Sequence, residues 1–156
     1  MDLTGSSPGP SSARRVVITG IGVVSPLGIG VQKNWEALLR GQSGIGPITR
    51  FDASKHSTRI AGEVRNFDPL AFIDRKEARK MDLFIQLALA AAALAVEDAG
   101  IDPALLEGDR TGVYIGSGIG GLATIEESHK ALMERGPDRV SPFFLVSIII
   151  NEAAGY

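Results

Sequence analysis

At 156 residues the chain has a one-domain length, and 44% apolar with 22% charged residues describes a globular protein able to bury a core. Its net charge of -2 gives no reason to expect nucleic acid or an anionic membrane as the main partner. Having no cysteine excludes disulfides, thiolate metal sites and a cysteine nucleophile within these residues, and two histidines are a poor basis for a metal cluster.

Residues 1–13 (MDLTGSSPGPSSA) are rich in Gly, Pro and Ser and lack the apolar segment of a secretory signal. They read as a disordered tail, with the cytoplasm as the default location. Arg14 and Arg15 lead into VVIT (Val16 to Thr19), a β-branched run predicted as a buried strand, followed by the turn-rich GIGVVSPLG. Within it, Ser25 reads as a turn or cap serine. VQKNWEALLRG (Val31 to Gly41) predicts a helix with Trp35, Leu38 and Leu39 on one face and Gly41 as its stop. Residues 42–72 read as irregular, broken by Pro47, Gly62 and Pro69, and a connection this long suggests a functional or interface segment.

From Asp74 the pattern turns helical. Asp74 with Glu77 predicts a capping box, and Asp82 predicts the cap of a longer helix ending at Gly100. Its core, LFIQLALAAAALAV (Leu83 to Val96), is too short to cross a bilayer but apolar on every side, so every side needs cover. Its alanines admit close backbone neighbours, as between two sheets. That points to a layered α/β architecture with more than one sheet, for which these residues offer too few strands. TGVYI (Thr111 to Ile115) predicts another strand, LATIEESHKALMERG an amphipathic helix, and Ser141–Pro142 the start of a last helix running to Gly155. Exposed apolar surface and open sheet edges in such a chain imply association or loose packing.

Gly116, Gly118 and Gly121 satisfy G-x-G-x-x-G between a strand and a helix. A dinucleotide site would also need a second strand with an acidic residue about 20 positions on, where this chain has RGPDRVSP. The motif therefore reads as a tight turn against a neighbour or an apolar ligand. Ser117 is not a nucleophile elbow, because that motif needs glycine where Ile115 stands. His56 and His129 fall in polar surroundings and read as solvated. RKEARK (Arg75 to Lys80) is either an ordinary solvated face or a docking patch for an acidic partner.

Five stretches in order, RRVVITGIGVVSPLG, NWEALLRGQSGIGPITRFD, ARKMDLFIQLALAAAALAVEDAGI, VYIGSGIGGL and SPFFLVSIIINEAAG, resemble the β-ketoacyl-[acyl-carrier-protein] synthase II family from about Arg14 to Gly155. The resemblance implies the N-terminal part of a thiolase-like α-β-α-β-α layered fold, incomplete in this chain and homodimeric in the complete enzyme. It implies fatty-acid elongation by decarboxylating Claisen condensation, using a cysteine, two histidines and a lysine that lie C-terminal to these residues. On that reading residues 14–156 stop before the strand bearing the nucleophile, and the chain has no catalytic residue, metal or cofactor of its own.

By the same resemblance Ile119 gates an acyl pocket that Phe144, reaching across the dimer interface, and Ile148 one helical turn further on, help to line. Lys76, Arg79 and Lys80 match a docking surface for acyl carrier protein. Arg139 extends that surface, although Asp138 stands where a basic residue is expected. A non-catalytic fragment that binds carrier protein or pairs with a synthase, and a polyketide-type ketosynthase, are the alternatives.

Overall fold

The computed structural model describes residues 15–102, 104 and 108–156; the tail expected at 1–13 lies outside them. After an extended segment, β1 (Val24–Ser25) turns through Pro26 and Leu27 into β2 (Gly28–Ile29), pairing Val24 with Ile29. The turn is fixed by Ser25, whose hydroxyl accepts from the Leu27 N–H at 3.0 Å and donates to the Asn34 side-chain oxygen Oδ1. Asn34, buried on α1 (Val31–Leu39), donates in turn to the carbonyls of Gly28 and Gly30. Helix α1 stops at Gly41, whose φ of 63° suits only a glycine without strain. Its apolar face is exposed at Trp35, Leu38 and Leu39, and the side it buries carries Asn34 and Ala37.

The stretch read as irregular contains an antiparallel ladder. β3 (Ile45–Pro47) pairs with β4 (Ile60–Gly62), Gly46 opposite Ala61. Three-residue strands containing Gly and Pro carry almost no period-2 signal, so the pairing was not legible locally. Beyond it, Glu63 is buried and holds the hairpin shut by accepting from the Thr49 N–H, the Thr49 hydroxyl at 2.7 Å and the Arg50 N–H.

After a 3-10 turn (Pro69–Ala71), α2 (Arg75–Ala78) is capped by Asp74, which accepts from the Lys76 N–H at 2.8 Å. Only this half of the expected capping box forms, because Glu77 accepts from the Lys80 ammonium at 2.6 Å instead of reaching back. Helix α3 (Leu83–Ala99) runs from the Asp82 cap to a left-handed Gly100, as expected. Gln86, the polar residue in its apolar run, donates to the Ala78 and Met81 carbonyls, satisfying acceptors freed where α2 ends.

Ile85, fully buried, centres the core with Met81 and Ala153, and Ile73, Phe84, Leu89 and Ile115 pack around them. Along another stripe of α3, Gly20 and Gly22 lie flush on the backbone of Ala91, Ala95 and Ala99. The Ile21 N–H donates to Asp98 beside them at 2.8 Å. Ala92 and Ala93 remain exposed.

Two strand expectations fail. Val16–Thr19 and Thr111–Ile115 join no ladder among the described residues, and Val16 and Tyr114 are 89% and 98% exposed. Their composition suits a buried strand, but burial needs neighbouring strands, and the described residues supply none.

The last helix also differs. It divides into α5 (Phe144–Ile148) and α6 (Glu152–Gly155), parted by an extended Ile149. Three consecutive β-branched residues weaken the helix there, and the Ile148 carbonyl is taken by the Gly121 N–H from another element. Helix α4 (Leu122–Arg135), ending at Gly136, and a 3-10 turn at Pro137–Arg139 lead into this region.

Candidate functional site

The turn before α4 meets α5 backbone to backbone. Gly120 has a φ of 82°, and a Cβ on Gly121 would lie 2.7 Å from the Ser147 carbonyl oxygen and 2.9 Å from the Ile148 Cα. Nothing larger than glycine fits between them. The close-packing demand of the glycine motif thus falls on Gly120 and Gly121, since space is open around Gly116 and Gly118. Ser117 closes the turn by accepting from the Gly120 N–H at 3.1 Å.

Ile119 projects from this turn, 66% exposed. The next two residues of the turn, Gly120 and Gly121, pack on the backbone of Ser147 and Ile148; Ile148 is half-buried, and Phe144 stands one helical turn earlier on α5. The three residues expected to form an apolar wall therefore come from two adjoining elements.

The first turn of α4 is already supplied with negative charge. Asp82, 9% exposed, accepts from the Thr124 N–H at 3.1 Å and the Thr124 hydroxyl at 2.6 Å, while its other oxygen caps α3 at Phe84. A carboxylate at that position answers the helix dipole and opposes a second anion, which argues against pyrophosphate there.

The basic cluster divides by environment. Arg75 and Arg79, spaced four apart, line an open groove of about 360 Å³ with Asp68, Leu70 and Gln86. Lys76 is exposed on the same short helix. Lys80 is held by Glu77, whose hydrogen bond raises the lysine pKa above its usual value, and its ammonium lies 5.7 Å from the Phe143 ring centroid. Arg139 is exposed at the end of its 3-10 turn. Arg75, absent from the expected docking set, shares the groove with Arg79; the i, i+4 spacing carried that signal.

His56 and His129 are both exposed, His56 edge-on to Phe51. Among the described residues no group of His, Asp or Glu could hold a metal ion, and no helix is long and apolar enough to cross a membrane.

Residues 13–156 match the family described as Beta-ketoacyl synthase, N-terminal domain. The chain belongs to this family. It is 54% identical over 144 residues to a Vibrio harveyi 3-oxoacyl-[acyl-carrier-protein] synthase 2, covering 92% of this chain and 35% of that relative. A Coxiella burnetii protein of the same name is 54% identical over 142 residues, covering 91% and 34%. Among solved structures, the ishigamide ketosynthase/chain length factor superposes with a TM-score of 0.81 at 33% identity, covering 90% of this chain and 35% of that one. The chain thus spans about a third of the length of the relatives it matches, and it carries the N-terminal part of the thiolase-like α/β ketosynthase fold.

Proposed function

We propose that this ketoacyl-synthase region serves an enzyme that elongates fatty acyl chains by decarboxylating Claisen condensation. An acyl group passes from its carrier thioester to a cysteine thiolate outside these residues, releasing the carrier's thiol. Malonyl-acyl-carrier protein then loses CO2, and the resulting enolate carbon attacks the acyl thioester, expelling the thiolate and leaving a β-ketoacyl carrier protein. The observation that carries this reading is the 54% identity, along nearly the whole chain, to proteins named for that synthase.

Within this scheme the residues described here bind and position. Ile119, Phe144 and Ile148 form part of the wall against which the acyl chain lies, and each CH2 buried there contributes about 0.8 kcal/mol. Lys76, Arg79, Lys80 and Arg139 receive the acidic carrier protein, with Arg75 beside Arg79. The complete enzyme works as a cytoplasmic homodimer without a cofactor.

The test is an assay of the complete gene product with acyl- and malonyl-carrier protein, read by mass spectrometry. The β-ketoacyl product should form. The 156-residue chain alone, having no cysteine, should give no covalent acyl adduct by intact mass. An adduct on the isolated chain would overturn the division of labour proposed here.

A further inference from the structure

The segment Lys80–Asp82 touches both walls of the site at once. The Ser147 hydroxyl of α5 lies 2.7 Å from the Lys80 carbonyl and 2.8 Å from that of Phe143. Two residues on, Asp82 holds Thr124 of α4 through two bonds across 42 residues of sequence. Between these anchors sits the Gly120–Gly121 turn, its Gly121 N–H donating to the Ile148 carbonyl at 3.2 Å. A Cβ on Gly121 would also lie 3.1 Å from the Asp82 Cβ. The Asp82 side chain therefore flanks the glycine turn on one side, and the Ile148 backbone meets it on the other. Charge-assisted hydrogen bonds of this kind are about twice as strong as neutral ones.

We propose that Asp82 is a positioning residue for the acyl wall: by clamping the first turn of α4 it fixes Ile119 relative to Ile148, and so sets which acyl lengths are accepted. This rests on the acyl-wall reading above. Asp82 touches no substrate itself. Its influence runs through the turn it immobilises, and a small displacement at a wall changes what fits beside it.

Asp82→Asn separates the two duties of the side chain. The amide oxygen still caps α3, but its NH2 faces the two Thr124 donors and the clamp is lost. In the complete gene product, the ratio of kcat/KM for long against short acyl thioesters should change by about tenfold, the effect expected for one charged hydrogen bond. The KM for carrier protein should stay within about twofold, because the docking residues are untouched. Amide hydrogen exchange at Gly120–Thr124 should quicken by about tenfold or more. Thr124→Ser keeps both donors and should behave as the unsubstituted protein.

If a folded Asp82→Asn protein keeps the same length ratio, or loses activity equally at every length, the proposal is overturned. Should that variant not fold, Thr124→Val, which removes the hydroxyl bond alone, decides in the same way. If the unsubstituted protein forms no condensation product, the proposed function falls and the length claim with it. Unchanged exchange at Gly120–Thr124 in the variant would sink the clamp while leaving the function standing.

Discussion

Gly22 lies so close to Ala91 that a Cβ on the glycine would run into the Ala91 carbonyl and the Ala95 N–H. With Gly20 packed in the same way on Ala95 and Ala99, and the Ile21 N–H bonded to Asp98, this contact holds the extended N-terminal segment on α3 without a strand ladder. Gly22→Val should therefore lift the segment and break the bond from the Ile21 N–H to Asp98. Overpacking of this kind costs about 1–3 kcal/mol. Chemical denaturation should show a lower midpoint, with faster proteolysis near residues 15–23 of the variant.

Among the described residues Ile85 is the largest side chain with no exposure. Ile85→Ala should cost about 2–5 kcal/mol, since its neighbours Met81 and Ala153 come from separate elements and cannot all close the cavity. Ala92→Leu, on the exposed side of the same helix, should change stability by less than about 0.5 kcal/mol. Comparable losses from both would show that the buried stripe of α3 is misplaced.

The clamp on the β3–β4 hairpin predicts a pH dependence. Hydrogen bonds from the Thr49 N–H, then the Thr49 hydroxyl, lower the Glu63 pKa, with the Arg50 N–H and the Arg65 guanidinium assisting. A depressed folded-state pKa gives stability that is present above the ordinary glutamate value, about 4.3. That stability is lost as pH falls through the lower folded value. Stability of the unsubstituted chain should drop on acidification below about pH 4.3, and Glu63→Gln should flatten that part of the profile. A parallel profile in the variant would show that other carboxylates carry the acid transition.

The division within RKEARK predicts unequal effects on carrier binding. Arg79→Glu reverses an exposed, groove-lining charge, while Lys80→Glu also breaks the pair with Glu77 and sets two carboxylates together. Binding of acyl carrier protein by the complete gene product should weaken with Arg79→Glu, mainly through slower association, and the loss should shrink as salt rises. Exposed helix pairs contribute only about 0.3–0.5 kcal/mol, so Lys80→Glu should affect binding more than folding. Carrier binding that is indifferent to both reversals would refute the docking surface.

Exposed Val16, Ile18, Val113 and Tyr114 predict a further property of the isolated 156 residues. Apolar patches of this kind promote association. Sedimentation should reveal concentration-dependent oligomers; a monomer with one sharp cooperative melt would contradict this.

Local chemistry was legible wherever a residue acts on its own neighbours. The stop at Gly41 and the end of α3 at Gly100 follow from glycine's ease at positive φ, the caps at Asp74 and Asp82 from side chains that reach two positions along the chain, and the span of α4 from its helical periodicity. The turn role of Ser25 was legible in the same way, whereas of the three motif glycines only Gly121 makes a close approach, Gly116 and Gly118 standing in open space. The motifs also sufficed to name the family. Strand formation in VVIT and TGVYI was not decidable that way, because a strand is a relation between segments and composition records only the wish for one. The fate of Asp82 shows the same limit. Its cap on Phe84 could be read from two residues away, whereas its hold on Thr124, like that of Gly121 on Ile148, exists only once distant backbone has been brought within hydrogen-bond reach.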